Sequence, residues 1–210
     1  MNILSIVEII SKLSGRFVND SYFTLNQRLE QLLRLSESEF KQELHNPFLV
    51  EKKTPFRAVI YKLIRLIFPF DEQITEYLAK GIAAFSRCPA DLPDSPGLYP
   101  EQIQAAIVLT QRAVLQMDTG EGKTYALLPA AYALARKHGR IYVICANEYL
   151  AFRDATRTKN YWDYVGLSVS YCSRNTYHAD QKWGENIIYT TLNGIAFKVM
   201  GDDLNGCPPT

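Results

Sequence analysis

The sequence predicts an α/β fold: a parallel sheet flanked by helices, preceded by an all-helical N-terminal segment. Three observations predict it. Beyond residue 97, short β-prone runs alternate with helical stretches. A glycine-rich turn, Gly120-Glu121-Gly122, joins one such run to a helix. Before residue 96, apolar residues recur at helical spacing alone. Strands separated by helices need crossover connections and therefore pair in parallel, and such sheets take ligands at the carboxyl ends of their strands.

Composition narrows the classes. The chain has 210 residues, 47% of them hydrophobic, enough for one core or one domain plus a smaller one. Its net charge is +1. Residues 1–96 carry 12 basic and 12 acidic side chains, and residues 97–210 carry 11 and 10. Neither half is a basic block, which argues against a nucleic-acid partner. Cys88, Cys145, Cys172 and Cys207 lie far apart, with no C-x-x-C spacing, and fit a reducing cytosol. Cys145, in an apolar strand-like run, reads as a buried thiol. No apolar run approaches the roughly 20 residues that span a bilayer. The N-terminus is not expected to be a signal peptide, because no Lys or Arg precedes its apolar stretch and Glu8 interrupts it.

Taken in order, Ile3, Leu4, Ile6, Val7, Ile9, Ile10 and Leu13 share a helical face, ended at Gly15. This amphipathic helix either packs on its own domain or touches a membrane surface or partner. Leu25, Leu29, Leu32, Leu33 and Leu35 suggest a second helix. Ser36 and Glu39 form a capping box for the next, which carries Phe40 and Leu44. Thr54-Pro55 opens a helix over Phe56–Phe68, closed by Pro69. Asp71 starts another, with Ile74, Tyr77, Leu78, Ile82 and Phe85. The stretch from Ser86 to Gly97 holds three prolines and is the best internal boundary. It divides a helical segment, 1–96, from a partial nucleotide-binding domain, 97–210.

After the boundary, Pro100–Thr110 reads as a helix with Ile103, Ile107 and Val108 inward. A strand is expected over Ala113–Met117 and a helix over Lys123–Lys137, with His138-Gly139 as its stop. Arg140–Ala146 reads as a strand, Glu148–Asn160 as a helix and Leu167–Cys172 as a strand. Ser173–Glu185 reads as a polar loop, Asn186–Thr191 as a strand and Leu192–Met200 as a helix.

The turn carries the chemistry. In Met117-Asp118-Thr119-Gly120-Glu121-Gly122-Lys123-Thr124, glycines allow a tight fold that turns N–H groups toward phosphate oxygens. The helix that follows adds its positive end. Lys123 can reach the β- and γ-phosphates, and the Thr124 hydroxyl is placed to hold Mg²⁺ through the nucleotide. Met117 stands where the strict phosphate-loop pattern has Gly; the T-G-x-G-K-T core is the form used by helicase-like motors.

Past residue 97 the chain resembles the first nucleotide-binding domain of the SecA family, the ATPase motors of bacterial preprotein export. Met117–Thr124 is similar to that family's M-x-T-G-E-G-K-T. Gln102 stands at the spacing of its adenine-reading glutamine. Asn147-Glu148-Tyr149-Leu150-Ala151-Phe152-Arg153-Asp154-Ala155 is similar to N-D-Y-L-A-x-R-D-A. Asn186–Asp203 follows D-I-T-Y-G-T-N-N-E-F-G-F-D-Y-L-R-D-N at Ile187, Tyr189, Thr191, Asn193, Phe197 and Asp202. The blocks keep the family's order and cover about half the chain. Departures include Asp118 for a basic residue, Thr190 for Gly, Gly194 for Glu, Ala196 for Gly, and Gly201-Asp202 for Arg-Asp.

The resemblance implies a RecA-like, helicase-type P-loop sheet binding ATP or ADP with Mg²⁺. The nucleotide-binding residues would be Gln102, Thr119, Gly120, Glu121, Gly122, Lys123 and Thr124, with Thr124 serving the metal. On residue chemistry alone, Gln102 suits an adenine edge but equally a solvated helix surface. Arg153 and Asp154 read either as part of a structural block or as plain surface charges. Asn193 and Asp202 are expected to order a loop. The partners implied are preprotein substrates and a membrane protein channel, not nucleic acid, with the protein cytoplasmic and peripheral at the inner face of a membrane; a homodimer is compatible. The acidic motif that supplies the Mg²⁺-binding Asp and water-activating Glu is expected beyond Thr210. No catalytic residue is therefore expected within this chain, and weak nucleotide binding with scant hydrolysis follows. Two other readings fit: a helicase-like nucleic-acid motor, and a degenerate nucleotide-binding domain kept for protein interaction.

Overall fold

A computed structural model describes residues 25, 27–46, 71–88, 97–111, 113–173 and 183–204. The helices expected over residues 3–13 and Phe56–Phe68, most of the proline-rich boundary, most of the polar loop and Cys207 lie outside the described residues.

Residues 27–34 are helical. The remaining helices are α1 (Glu37–His45), α2 (Glu72–Arg87), α3 (Pro100–Leu109), α4 (Lys123–His138), α5 (Glu148–Arg157), α6 (Lys159–Tyr164) and α7 (Leu192–Leu204). The strands are β1 (Ile141–Cys145), β2 (Val169–Tyr171) and β3 (Ile187–Thr191). They form a wholly parallel sheet in the order β1-β3-β2. Ile187 pairs with Ile141 on one side and Val169 on the other. Every residue of the central β3 is buried, as a strand covered on both faces requires.

Several local expectations hold. Ser36 and Glu39 form the capping box of α1, the Asp71 side chain caps α2, and Gly139 ends α4 at φ 83°. Others are corrected. Ala113–Met117 is not a strand. Its apolar residues favour extended backbone, but a strand exists only through pairing. Neither edge of the sheet takes this segment up, although β1 leaves one edge open, and Val114 is fully exposed. The helix expected over Glu148–Asn160 breaks at Thr158. The Thr158 hydroxyl donates to Asp154 O at 2.7 Å, accepts from Trp162 Nε1 at 2.9 Å and lies 3.2 Å from the Tyr189 hydroxyl. This buried polar node fixes the chain where it turns from α5 into α6. In α3 the deeply buried positions are Gln102, Ala105 and Ala106, with Ile103 and Ile107 only partly covered.

One continuous core joins Leu32, Phe40 and Leu44 to Tyr161, Ile187 and Tyr189. Its centre is the packing of α2 on α4. Gly81 makes this possible: a Cβ there would lie 3.0 Å from both Pro129 Cα and Tyr132 Cδ1. The Gly81 carbonyl accepts the buried Tyr161 hydroxyl at 3.0 Å, and Tyr132 reaches Leu44 O at 3.5 Å. At the other end of this packing, Lys137 of α4 pairs with the α2 cap Asp71.

A buried ionic cluster fastens α1 to α2. The Lys80 side chain is 2% exposed, with Glu43 and Glu76 carboxylate oxygens each 3.6 Å away. Its ammonium donates to Glu43 O at 2.7 Å and Asn46 O at 3.2 Å, the last carbonyls of α1. Arg28 grips Glu76 through Nε at 2.9 Å and Nη2 at 2.8 Å, and also pairs with Glu43. Burial alone would raise the Glu43 pKa. The Asn46 amide, Lys80 and Arg28 outweigh it and hold the group below its ordinary value.

Gly81→Ala should cost about 1–3 kcal/mol, because Pro129 backbone has no free path away from the new methyl; urea unfolding measures it, and an unchanged midpoint would contradict the close approach. The Glu43 shift gives a pH signature. Folded Glu43 binds protons less readily than unfolded Glu43, so its contribution is complete above the unfolded pKa, about 4.3, and disappears as pH falls through the lower folded value. Between about pH 5.5 and 3.5 the wild type should therefore lose more stability than Glu43→Gln, as thermal melts across that range would report.

Candidate nucleotide-binding site

Helix α4 begins where the chain needs it. Gly122, its N-cap, sits at φ 76°, and Gly120 at φ 95°. Both lie in the left-handed region that glycine tolerates and other residues resist. Gly139 and Arg140 turn the chain directly from α4 into β1, so the start of α4 lies toward the carboxyl ends of the strands. Parallel sheets take ligands at that end.

The two glycines are constrained differently. Nothing lies within 4 Å of a Cβ placed on Gly120. A Cβ on Gly122 would collide with Gln102 Nε2. Gln102 is 6% exposed, and both ends of its amide are occupied. Its Oε1 accepts the Tyr99 N–H at 3.0 Å, closing the start of α3. Its Nε2 donates to Glu121 O at 2.9 Å. The structure thus brings Gln102 to the loop, with its hydrogen bonds directed inside the protein. An adenine edge would be read by this amide only after it exchanges one of these partners.

Thr119, Gly120, Glu121 and Lys123 are exposed, and Gly122 and Thr124 half-buried. Lys123 Nζ donates to Asp118 O at 3.0 Å, folding back across the loop. Glu121 Oε2 accepts the Asp118 N–H at 2.9 Å. Among the described residues, the backbone N–H groups of Thr119, Gly120, Gly122, Lys123 and Thr124 meet no protein acceptor. Neither does the Thr124 hydroxyl. These free donors, the start of a 16-residue helix and the exposed Lys123 ammonium suit an anion such as a phosphate chain. A divalent cation carried by those phosphates would find the Thr124 hydroxyl as its protein ligand.

A second feature lies at the same end of the sheet. Ile144, Cys145 and Ala146 at the end of β1 face Thr191, Leu192 and Asn193 at the junction of β3 and α7 across an open cleft of about 390 Å³. Burial pushes the Cys145 thiol pKa up, with Asp154 adding to this and Arg153 opposing, and the thiol is half-buried. Asn193 lines the cleft, whereas Asp202 is buried in a pair with Lys198 at 2.7 Å, inside α7. Asn147 caps α5 through Leu150 N–H at 2.8 Å, and Arg153 and Asp154 pair with each other. At the start of α7, Thr191 Oγ1 accepts the Gly194 N–H at 3.2 Å. A Cβ on Gly194 would collide with the hydroxyl of Thr190, which is fully buried and has no hydrogen-bond partner.

Sequence reasoning did not find Tyr99, the Asp118 carbonyl, the inward-turned Glu121 carboxylate or the cleft. A signal existed for the first. Gln102 stands three residues after Tyr99, with Pro100 between, which is the spacing of a glutamine reaching back to cap its own helix.

A family model for the SecA DEAD-like domain matches residues 2–208. Protein translocase subunit SecA 2 of Mycobacterium leprae (strain TN) is 37% identical over 116 residues, covering 52% of this chain and 15% of that protein. Protein translocase subunit SecA of Mycobacterium avium (strain 104) is 33% identical over 139 residues, covering 63% and 17%. That of Antithamnion sp. is 29% identical over 109 residues, covering 51% and 12%. The chain thus matches only 12–17% of these relatives' length.

The two loop glycines should respond differently to alanine. Gly120→Ala should cost only backbone strain, about 1 kcal/mol. Gly122→Ala adds displacement of the Gln102 amide, about 2–3 kcal/mol in all. In a Gln102→Ala background the excess at Gly122 should vanish. A double-mutant cycle by chemical denaturation reads the coupling, and strict additivity would refute the contact.

Proposed function

The chain belongs to the SecA DEAD-like domain family, and from that premise we propose that its glycine loop binds the phosphates of ATP or ADP as part of a preprotein-translocating motor. The observation that carries this is the cluster of unengaged backbone donors on Thr119, Gly120, Gly122, Lys123 and Thr124 at the head of α4, beside the Lys123 ammonium. Lys123 neutralises the phosphate charge, Thr124 serves Mg²⁺ held by the nucleotide, and Gln102 joins base recognition to loop position. We assign residues 97–210 to a partial nucleotide-binding domain and residues 1–96 to a helical N-terminal segment.

The family supports a protein translocase role, and the names of the relatives point the same way. In this reading the partners are preproteins and a membrane channel, with the protein cytoplasmic and peripheral at the membrane. Among the described residues no helix is long and apolar enough to cross a bilayer. The even charge, +1 over the chain, disfavours a nucleic-acid motor. We assign the loop from Thr119 to Thr124 to nucleotide binding and not to hydrolysis: its one carboxylate, on Glu121, is bound to the Asp118 N–H and is not placed to activate water.

Mg-ADP titration by calorimetry should show binding to the wild type that weakens about tenfold or more in Lys123→Ala. Phosphate release by these residues alone should stay at background in both. Equal affinity in the two proteins would remove the loop from the site. A robust turnover abolished by Lys123→Ala would overturn the assignment to binding alone.

A further inference from the structure

The loop contains its own anion. Glu121 Oε2 accepts the Asp118 N–H at 2.9 Å, and the Lys123 ammonium sits on the carbonyl of the same Asp118 at 3.0 Å. Glu121 also donates its N–H to Asp118 O at 3.5 Å, while its carbonyl is held by Gln102 at 2.9 Å. The N–H, the carbonyl and one carboxylate oxygen of Glu121 are thus engaged at the site. A carboxylate oxygen on a backbone N–H of this loop presents the negative charge and the acceptor that a phosphate oxygen would present there.

We propose that the Glu121 carboxylate is a built-in competitor for nucleotide phosphate, occupying a loop donor and steadying the loop in its empty form. This rests on the reading of the loop as a nucleotide site and adds a specificity device to it. Phosphate that takes up the Asp118 N–H with the free donors expels the carboxylate from it, and phosphate that takes up the Lys123 ammonium draws it off the Asp118 carbonyl. Because Glu121 is exposed, its side chain has solvent to swing into. Its charge then stands near the bound phosphates and opposes them. Affinity is held down by both effects, which favours release between binding events.

The test uses the full chain in three forms: wild type, Glu121→Gln and Glu121→Ala. Gln keeps the shape and removes the charge; Ala removes the acceptor as well. Mg-ADP and inorganic pyrophosphate are titrated against each. Loss of one charge-assisted hydrogen bond at an exposed site should tighten both ligands about three- to tenfold. Pyrophosphate must gain as ADP does, because the competition is with phosphate and not with the base. Amide hydrogen exchange at Asp118 in the ligand-free protein gives an independent readout. It should be slow in the wild type and faster in Glu121→Ala.

Unchanged or weaker affinity in both variants, while Lys123→Ala still abolishes wild-type binding, would overturn the competitor role and leave the nucleotide site standing. A gain for ADP without one for pyrophosphate, or Asp118 exchange that ignores Glu121→Ala, would also overturn it. If no form of the protein binds either ligand, the nucleotide reading falls and this inference with it.

Discussion

The loop depends on α4 being held still, and the close approach of α2 at Gly81 is what holds it. Leaving out one Cβ lets the backbone of α2 come against Pro129 and Tyr132. Tyr161 then seals the junction through the Gly81 carbonyl. Small residues on α4, among them Ala126, Ala130 and Ala133, are fully covered as a result. Dense interiors transmit displacement and yield little. The start of α4 therefore inherits its position from helices that contribute no residue to the site. Lys80 extends this chain of support to α1, where a buried ammonium replaces the usual capping of terminal carbonyls.

Against that rigid base the loop is held lightly. It is exposed and tied by a few polar contacts around Asp118 and Glu121, with Gln102 as its link to the interior. A loop that lost these ties would leave Gly120 and Gly122 free to leave their left-handed conformations, and the order gained by α4 would end one residue before the chemistry. A loop packed into the core would have no donors to spare for a ligand. The observed balance keeps the shape while leaving the N–H groups of Thr119, Gly120, Gly122, Lys123 and Thr124 open.

Local patterns made much of this legible in the sequence. The capping box at Ser36, the stop at Gly139, the strands at 141–145 and 187–191 and the loop glycines all depend on residues close in the chain. What could not be read depends on distant partners. Ala113–Met117 has strand-like composition, but pairing requires a neighbour that no local pattern reveals. Thr158 breaks a helix because Trp162 and Tyr189 gather on its hydroxyl. On α3, hydropathy points to Ile103 and Ile107, while burial goes deepest at Gln102, Ala105 and Ala106. A polar side chain fully used by the backbone of a remote loop gives no sign of this in its own neighbourhood. The loop was found from its glycines; the amide that supports it was placed by family resemblance, and its bonding emerged only from the structure.

The junction of β3 and α7 ties two positions together. The family pattern has Gly and Glu where this chain has Thr190 and Gly194. A side chain at 194 would run into the Thr190 hydroxyl, and Thr190, β-branched and wholly buried, has no alternative space for it. The two exchanges therefore form a single swap of volume across one turn. A side chain at 194 therefore fits only beside a smaller residue at 190, and the two positions act as one volume that cannot be exchanged at 194 alone.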